Sequence, residues 1–234
     1  MPAKYILKQY VEDGYYHIFN RGVEKRDIFV NESNYVIFLY FMKLYLTEKE
    51  RLLYEIKHDR NLSVLEEDAK IKHIMPLQNF YGKIQMLSFV CMPNHFHFQI
   101  RQKGKKDMTS FMRCLMTKYT QYFNHIYSRV GPLFQGRYKA IHINREEYFL
   151  HINRYIHRNP LDTLPRNKKL KEYRWSSYPA YIKNLNILWL KKEPIITYFQ
   201  KINGFGFSSY QGFVEGFDNE ALKDDSYYRE LLLE

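Results

Sequence analysis

Residues 92–100 constrain the fold more than any other segment, because polar and apolar side chains alternate along its second half. A period of two is typical of a strand that is buried on one face. We therefore expect His95 and His97 on one face of a sheet, with Phe96 and Phe98 on the other. Two neutral imidazoles one pleat apart can hold a divalent metal. The pair alone is more typical of a strand with two partly exposed histidines.

The composition favours a polyanionic partner. Of the 234 residues, 36 are Lys or Arg and 25 are Asp or Glu, which gives a net charge of +11. Basic chains of this kind attract nucleic acid, although in some basic proteins the charge only keeps the protein soluble. The chain also has 22 tyrosines and 17 phenylalanines, and unpaired bases stack on such rings. Nucleic acid is therefore the first partner to consider.

Cysteine usage and hydropathy indicate a cytoplasmic location. Cys91 and Cys114 lie in apolar runs without CxxC spacing, which fits two core residues in a reducing compartment. The first residues lack the pattern of a signal peptide. No stretch approaches the roughly 20 apolar residues of a membrane span. We expect a cytoplasmic protein that does not contact membranes.

The order of predicted elements is β-α-β-β-α-β-α. They are strand 15–20, a helix capped by Asn31 or Ser33, strand 84–92, the histidine strand, helix 109–127, strand 137–143 and helix 145–158. A β-α-β-β-α-β core is the split βαβ, or ferredoxin-like, arrangement. The predicted fold class is therefore α+β, with an antiparallel sheet and helices on one face.

Two segments lie outside this core. Residues 49–82 are charged and without a clear period, so we interpret them as an insertion with a short helix near 64–70. The glycine-containing residues 185–234 are expected to form a C-terminal extension of unknown role. The predicted catalytic domain is accordingly 1–184.

The helix at 145–158 supplies a second group of candidate residues. Tyr155 and Asn159 are four positions apart and so lie on one helix face. Alone, a helical tyrosine is commonly structural, and an asparagine before Pro160 commonly only ends the helix. Their significance comes from their combination with His95 and His97.

With these residues the chain resembles the single-tyrosine HUH transposases, and most of all their branch of REP-associated tyrosine transposases. Five blocks carry the resemblance in the family's order, and together they span about residues 15–180. The blocks are 19–22 with 27–29, 92–97, 131–139, 155–160 and 173–178. The resemblance implies an HUH-nuclease type of fold.

The resemblance also implies a role for each residue of the combined motif. His95, His97 and the side-chain oxygen of Asn159 would hold a divalent metal, Mg²⁺ or Mn²⁺, and Tyr155 would be the nucleophile. Nitrogen ligands favour Mn²⁺ over Mg²⁺ in affinity, and ligand type alone does not exclude Zn²⁺. The implied activity is cleavage and strand transfer on single-stranded or hairpin DNA, through a 5′-phosphotyrosine at Tyr155.

Other tyrosines compete for the role of nucleophile. Tyr119 is the strongest rival, but Asn124 follows it by five positions, which turns the two side chains about 140° apart on a helix. Tyr155 with Asn159 has the better geometry. His157 is two positions from Tyr155 and is expected to point elsewhere.

Several basic residues are candidate phosphate contacts, although an ordinary solvated surface explains them equally well. They are Arg21, Arg101, Lys103, Lys105, Lys106, Arg137, Lys139, Arg154 and Arg158.

Two alternatives remain at this stage. One is a DNA-binding protein that kept the fold and lost cleavage, and the other is a ferredoxin-like RNA-binding module whose aromatic residues stack bases. The motifs favour the enzyme, because an RNA-binding module has no need for paired histidines with a later tyrosine and asparagine. Monomer or homodimer, and mobile element or host function, stay open.

Overall fold

The computed structural model describes residues 10–165 and 167–216. Its strands and helices are β1 (Tyr15–Arg21), α1 (Glu32–Leu46), α2 (Lys49–Lys57), α3 (Val64–Ile74), β2 (Ile84–Met92), β3 (His95–Gln102), α4 (Asp107–Ile126), β4 (Lys139–His142), α5 (Glu146–Arg158), α6 (Tyr178–Ile182), α7 (Glu193–Lys201) and α8 (Tyr210–Glu215). Short 3₁₀ segments cover Val23–Lys25, Asn159–Asp162, Leu170–Glu172 and Asn203–Gly206. Within the described ranges, no helix is both long enough and apolar enough to cross a membrane.

The four strands form one sheet in the order β2-β3-β1-β4. Every neighbouring pair is antiparallel. This is the strand order of the split βαβ core, so the α+β, ferredoxin-like fold predicted from the sequence is confirmed. The register aligns Arg21 of β1 with His95 of β3, and Phe19 with His97. The end of β1 therefore lies beside the start of the histidine strand.

The apolar face of β3 packs against α1 and α4. Phe96 and Phe98 are fully buried there, and the ring of Phe38 from α1 lies 5.7 and 6.2 Å from theirs. The predicted alternation thus holds, with the phenylalanines in the main core. Asn31 begins α1 with a capping box in which its side chain accepts a hydrogen bond from the amide of Asn34.

The opposite face of the sheet is covered by α5. The prediction of helices on one face of the sheet holds for α1 and α4, the two helices of the split βαβ core. It does not hold for α5, which lies on the face that carries the histidines. The side-chain amide of Asn153 donates to Gln99 on β3 at 3.1 Å. Gln99 in turn donates to the carbonyl of Phe149 at 2.9 Å. A small apolar cluster that includes Val90 and Ile152 completes this contact.

The segment 49–82 is more regular than its sequence indicated. It contains α2 and the predicted short helix, which extends as α3 to Ile74. Ser63 and Glu66 form a capping box that begins α3. Lys49 closes the segment by donating to the carbonyls of Met75 and Leu77, each at 2.9 Å. The sequence shows no clear apolar period in this segment, because α2 and α3 bury few side chains.

The described part of the predicted extension packs onto the same core. Trp189 contacts Phe89 of β2 with ring centroids 5.1 Å apart. Phe213 of α8 is buried against α5, where the guanidinium of Arg154 lies 5.5 Å from its ring centroid. The division at residue 184 remains a prediction, and residues 217–234 of the extension lie outside the described residues.

Candidate active site

The side chains of His95 and Asn159 meet at the end of the sheet where β3 begins. His95 Nε2 lies 3.0 Å from Asn159 Oδ1, and His95 Nδ1 lies 2.6 Å from Asn94 Oδ1. A neutral imidazole that donates Nδ1–H to Asn94 keeps its lone pair on Nε2. Two acceptor atoms then face each other, which is an arrangement suited to a cation between them.

Tyr155 lies beside this pair on the same face of the sheet. It is half-buried, and its ring meets His97 edge-on, with centroids 5.4 Å apart and an interplanar angle of 89°. The helical spacing of four brings Asn159, at the end of α5, to the same side as Tyr155. The structure thus brings together four residues singled out from the sequence: His95, His97, Tyr155 and Asn159.

A cation at this position would meet an amide oxygen as its third donor, rather than an acidic or sulfur group. Over residues 10–165 and 167–216, no group of three His, Cys, Asp or Glu side chains is arranged to hold a metal. His95, His97 and Asn159 would supply two imidazole nitrogens and one carbonyl oxygen. Ligands in an octahedral site with bonds of about 2.1 Å lie roughly 3.0 Å apart when adjacent. The observed 3.0 Å between His95 Nε2 and Asn159 Oδ1 fits that spacing.

His17 is a site residue that the sequence did not reveal. It lies on β1, is fully buried, and its Nε2 is 2.9 Å from Nδ1 of His97. Its ring also meets the ring of Tyr155 edge-on at 5.8 Å. The alternation of strand 15–20 could have indicated the face on which His17 lies. The sequence of one strand does not show which other strand pairs with it, so the contact with His97 could not be predicted.

The rival nucleophile Tyr119 lies on the other face of the sheet. It is fully buried between α4 and α1, and its hydroxyl donates to the carbonyl of Ile28 at 2.5 Å. Burial raises the pKa of Tyr119 far above that of a free phenol. Its hydroxyl is therefore neither near the histidines nor easily ionised.

His157 points away from Tyr155, as expected from their spacing. Its Nδ1 lies 2.8 Å from the hydroxyl of Tyr210, and its Nε2 lies 2.7 Å from Ser177 Oγ. Burial lowers the pKa of His157 to about 3. His157 is thus a neutral core residue that ties α5 to the C-terminal segment.

The candidate phosphate contacts fall into two groups along the sheet. Arg21, Arg137 and Lys139 lie at or near the end that holds His95, since Arg21 pairs with His95 and Lys139 pairs with Phe19. Lys139 Nζ lies 5.3 Å from the ring centroid of Phe19, and both Arg137 and Lys139 are exposed.

The second group lies at the far end of β3. Arg101 forms an ion pair of 2.9 Å with Asp13. Lys103, Lys105 and Lys106 follow in an exposed turn. At about 3.4 Å per residue, Lys103 is roughly 27 Å along the chain from His95. These residues could meet only DNA that extends well past the histidines.

Arg154 and Arg158 are placed differently from the prediction. Arg154 is buried and donates to the carbonyls of Phe213 and Gly216, each at 2.6 Å. Arg158 donates to the carbonyl of Val214 at 2.7 Å. Cations favour the C-terminal end of a helix, where carbonyls lack partners. Both arginines are therefore engaged by α8, which speaks against a phosphate role for them.

Comparison with known protein families finds a match for the region that holds the candidate site. Residues 64–159 match the family model for "Transposase IS200 like". This range contains His95, His97, Tyr155 and Asn159. The match covers less than half of the chain, and the chain is similar to the IS200-like transposases over this region, in agreement with the resemblance of the sequence blocks. No curated protein matches the chain.

One solved structure is similar over most of the chain. It is described as the "Structure of the REP associates tyrosine transposase bound to a REP hairpin", with 16% identity and a TM-score of 0.42. The alignment covers 78% of this chain and 87% of that one. A similarity of this size does not establish a common fold by itself, so the fold assignment rests on the strand order described above.

Proposed function

We propose that the protein is a DNA strand transferase that cleaves single-stranded or hairpin DNA by covalent catalysis at Tyr155. The observation that carries the proposal is the convergence of His95, His97, Tyr155 and Asn159 on one face of the sheet. The match of residues 64–159, which contain all four residues, to the IS200-like transposase model supports a transposase-like reaction. The choice of single-stranded or hairpin DNA comes from the resemblance of the sequence blocks. The cytoplasmic location remains a prediction, and it is consistent with a DNA substrate.

The residues present fit a divalent cation, Mg²⁺ or Mn²⁺. His95, His97 and Asn159 would hold it, and all three are neutral ligands. When bound, such an ion supplies Lewis acidity and a fixed position for phosphate oxygens. The 3.0 Å separation of His95 Nε2 and Asn159 Oδ1 supports the fit.

Tyr155 would make and break the covalent bond. Its phenol oxygen attacks the phosphorus, and the bond from phosphorus to the 3′ oxygen breaks. The phenol proton is lost to solvent, and the leaving oxygen takes up a proton as a free 3′-hydroxyl. The product is a 5′-phosphotyrosine, which keeps the energy of the phosphodiester. Attack by a 3′-hydroxyl on that link reverses the step and joins strands without ATP.

Basic residues at the same end of the sheet would bind the DNA backbone. Arg21, Arg137 and Lys139 lie near the end that holds His95. Contacts of this type bind phosphates whatever the sequence, so affinity should fall as salt rises. The farther group, Arg101 with Lys103, Lys105 and Lys106, would contribute only with longer DNA.

Incubation of the protein with a hairpin oligonucleotide labelled at its 3′ end and Mn²⁺ tests the proposal, because the strand on the 3′ side of the cut is the one that stays on the protein. We expect a covalent protein–DNA adduct, and mass spectrometry of its peptides should place the phosphate on Tyr155. Removal of the cation with a chelator should prevent the adduct. Binding of the hairpin without any adduct would contradict the proposal and favour a binding protein that lost cleavage.

The four residues belong to one chain, so the proposed chemistry does not require a second copy. A mixture of a His95→Ala/His97→Ala variant with a Tyr155→Phe variant should therefore form no adduct. Complementation in the mixture would show that Tyr155 of one copy reaches the histidines of another. Size-exclusion chromatography with light scattering, run in parallel, would tell whether the variants associate as homodimers.

A further inference from the structure

We infer that His17 is a positioning residue, which fixes the ring orientation and tautomer of His97. This inference rests on the proposed function, because it concerns how His97 would present a nitrogen to the cation. The observation is the buried contact of 2.9 Å between His17 Nε2 and His97 Nδ1. Both rings are buried, with exposed fractions of 0% and 1%.

The contact determines which nitrogen of His97 carries the proton. In a neutral imidazole one nitrogen donates and the other accepts. If His97 Nδ1–H donates to His17 Nε2, the lone pair of His97 lies on Nε2. Metal-bound histidines commonly donate their second N–H to such a partner, which holds the ring and strengthens the ligand. His17 occupies that position toward His97.

The sheet holds His17 in place. Strand β1 pairs with β3 so that Phe19 lies opposite His97 and His17 lies opposite Gln99. The rings of His17 and His97 are nearly parallel, with centroids 5.2 Å apart and an interplanar angle of 20°. The ring of Phe19 stacks on the ring of His97, with centroids 5.5 Å apart. The backbone register therefore fixes the imidazole contact with little freedom.

His17 also contacts the proposed nucleophile. The ring of Tyr155 stands edge-on to both imidazoles, at 5.8 Å from His17 and 5.4 Å from His97. A single buried side chain thus touches the cation ligand and the helix residue that would attack DNA.

Mn²⁺ binding, measured by electron paramagnetic resonance or calorimetry without DNA, tests this role. We expect His17→Phe to weaken Mn²⁺ binding by about 10- to 100-fold, as for other partners of metal-bound histidines. His17→Gln keeps an acceptor near the position of Nε2 and should retain most of the affinity. His142→Phe is the matched control, because His142 on β4 packs on Tyr16 at the other face of the sheet.

The outcomes separate the two hypotheses. If the wild-type protein binds no Mn²⁺, the cation part of the proposed function fails and this role of His17 fails with it. If the wild-type protein binds Mn²⁺ and His17→Phe binds it equally well, only the role of His17 is overturned. Thermal unfolding of each variant without metal shows whether a loss reflects folding.

A second measurement needs no variant of His17, so it remains valid even if the His17 variants fail to fold. Long-range ¹H–¹⁵N spectra of the metal-free wild-type protein report the tautomer of each histidine, and a His97→Ala spectrum assigns the signals of His97. We expect His97 to carry its proton on Nδ1. A proton on Nε2 of neutral His97 would overturn the inference.

Discussion

Replacement of Tyr155 by phenylalanine should abolish the covalent protein–DNA adduct while leaving hairpin affinity close to that of the wild type. The variant removes only the attacking oxygen, and Tyr155 is half-buried against His97, so the ring contact at 5.4 Å is kept. Loss of an essential nucleophile commonly lowers rates by about 10⁴-fold or more. Denaturing gels with labelled hairpin measure the adduct, and filter binding measures the affinity.

Tyr54→Phe is the matched control for this experiment. Tyr54 lies on α2 with 56% of its surface exposed, and its ring stacks on His58 of the same segment. It should form the adduct at the wild-type rate. An adduct that persists in Tyr155→Phe would show that another tyrosine attacks. Tyr119 would not be the first candidate, because its hydroxyl donates to Ile28 inside the opposite face.

Replacement of Arg154 by methionine should destabilise the protein by about 3 kcal/mol, because hydrogen bonds from charged groups contribute roughly 1.5–3 kcal/mol each. The buried guanidinium donates to the carbonyls of Phe213 and Gly216. Methionine keeps much of the apolar volume and leaves both carbonyls without this donor. The expected fall in Tm is roughly 6–12 °C for a chain of this size. Urea unfolding and calorimetry measure both quantities.

The same variant should slow adduct formation, since Arg154 lies on the helix that presents Tyr155. Tyr210 of α8 supports that helix as well, with hydrogen bonds to Asn153 and His157. A looser α5 would place Tyr155 less often beside the histidines, and misplacement by about 1 Å can cost roughly 100-fold in rate.

Arg51→Met provides the comparison for the stability change. Arg51 forms an exposed pair of 3.4 Å with Glu55 on α2, and such pairs contribute about 0–1 kcal/mol. If Arg154→Met were as stable as Arg51→Met, the contacts between α5 and α8 would not support the candidate site. In that case Arg154 would again be available as a phosphate contact.

The candidate site was largely predictable because its signals are local. The alternation at His95 and His97 predicts their shared face, since side chains of a strand alternate. The spacing of four between Tyr155 and Asn159 predicts theirs, since residues four apart are neighbours on a helix. Each relation depends only on the repeat of one secondary structure element.

Other features depended on contacts between distant parts of the chain. In the segment 49–82 helix α2 escaped prediction and α3 was predicted only as far as residue 70, because their few buried side chains give no clear period. Arg154 was predicted on the surface, because nothing in residues 145–158 indicates that α8, more than 50 residues later, ends beside it. A hydropathy pattern depends only on residues that are close in sequence, whereas the burial of a side chain also depends on distant segments that pack against it.

The sequence by itself determined which side chains share a strand face or a helix face, and through its blocks it pointed to the transposase family. Only the tertiary structure decided that α5 lies across the histidine face, that Tyr119 lies behind the sheet and that His17 meets His97. The physical reason is register. Local periodicity fixes the direction of each side chain, but the pairing of β1 with β3 and the docking of α5 and α8 arise from packing over long sequence separations.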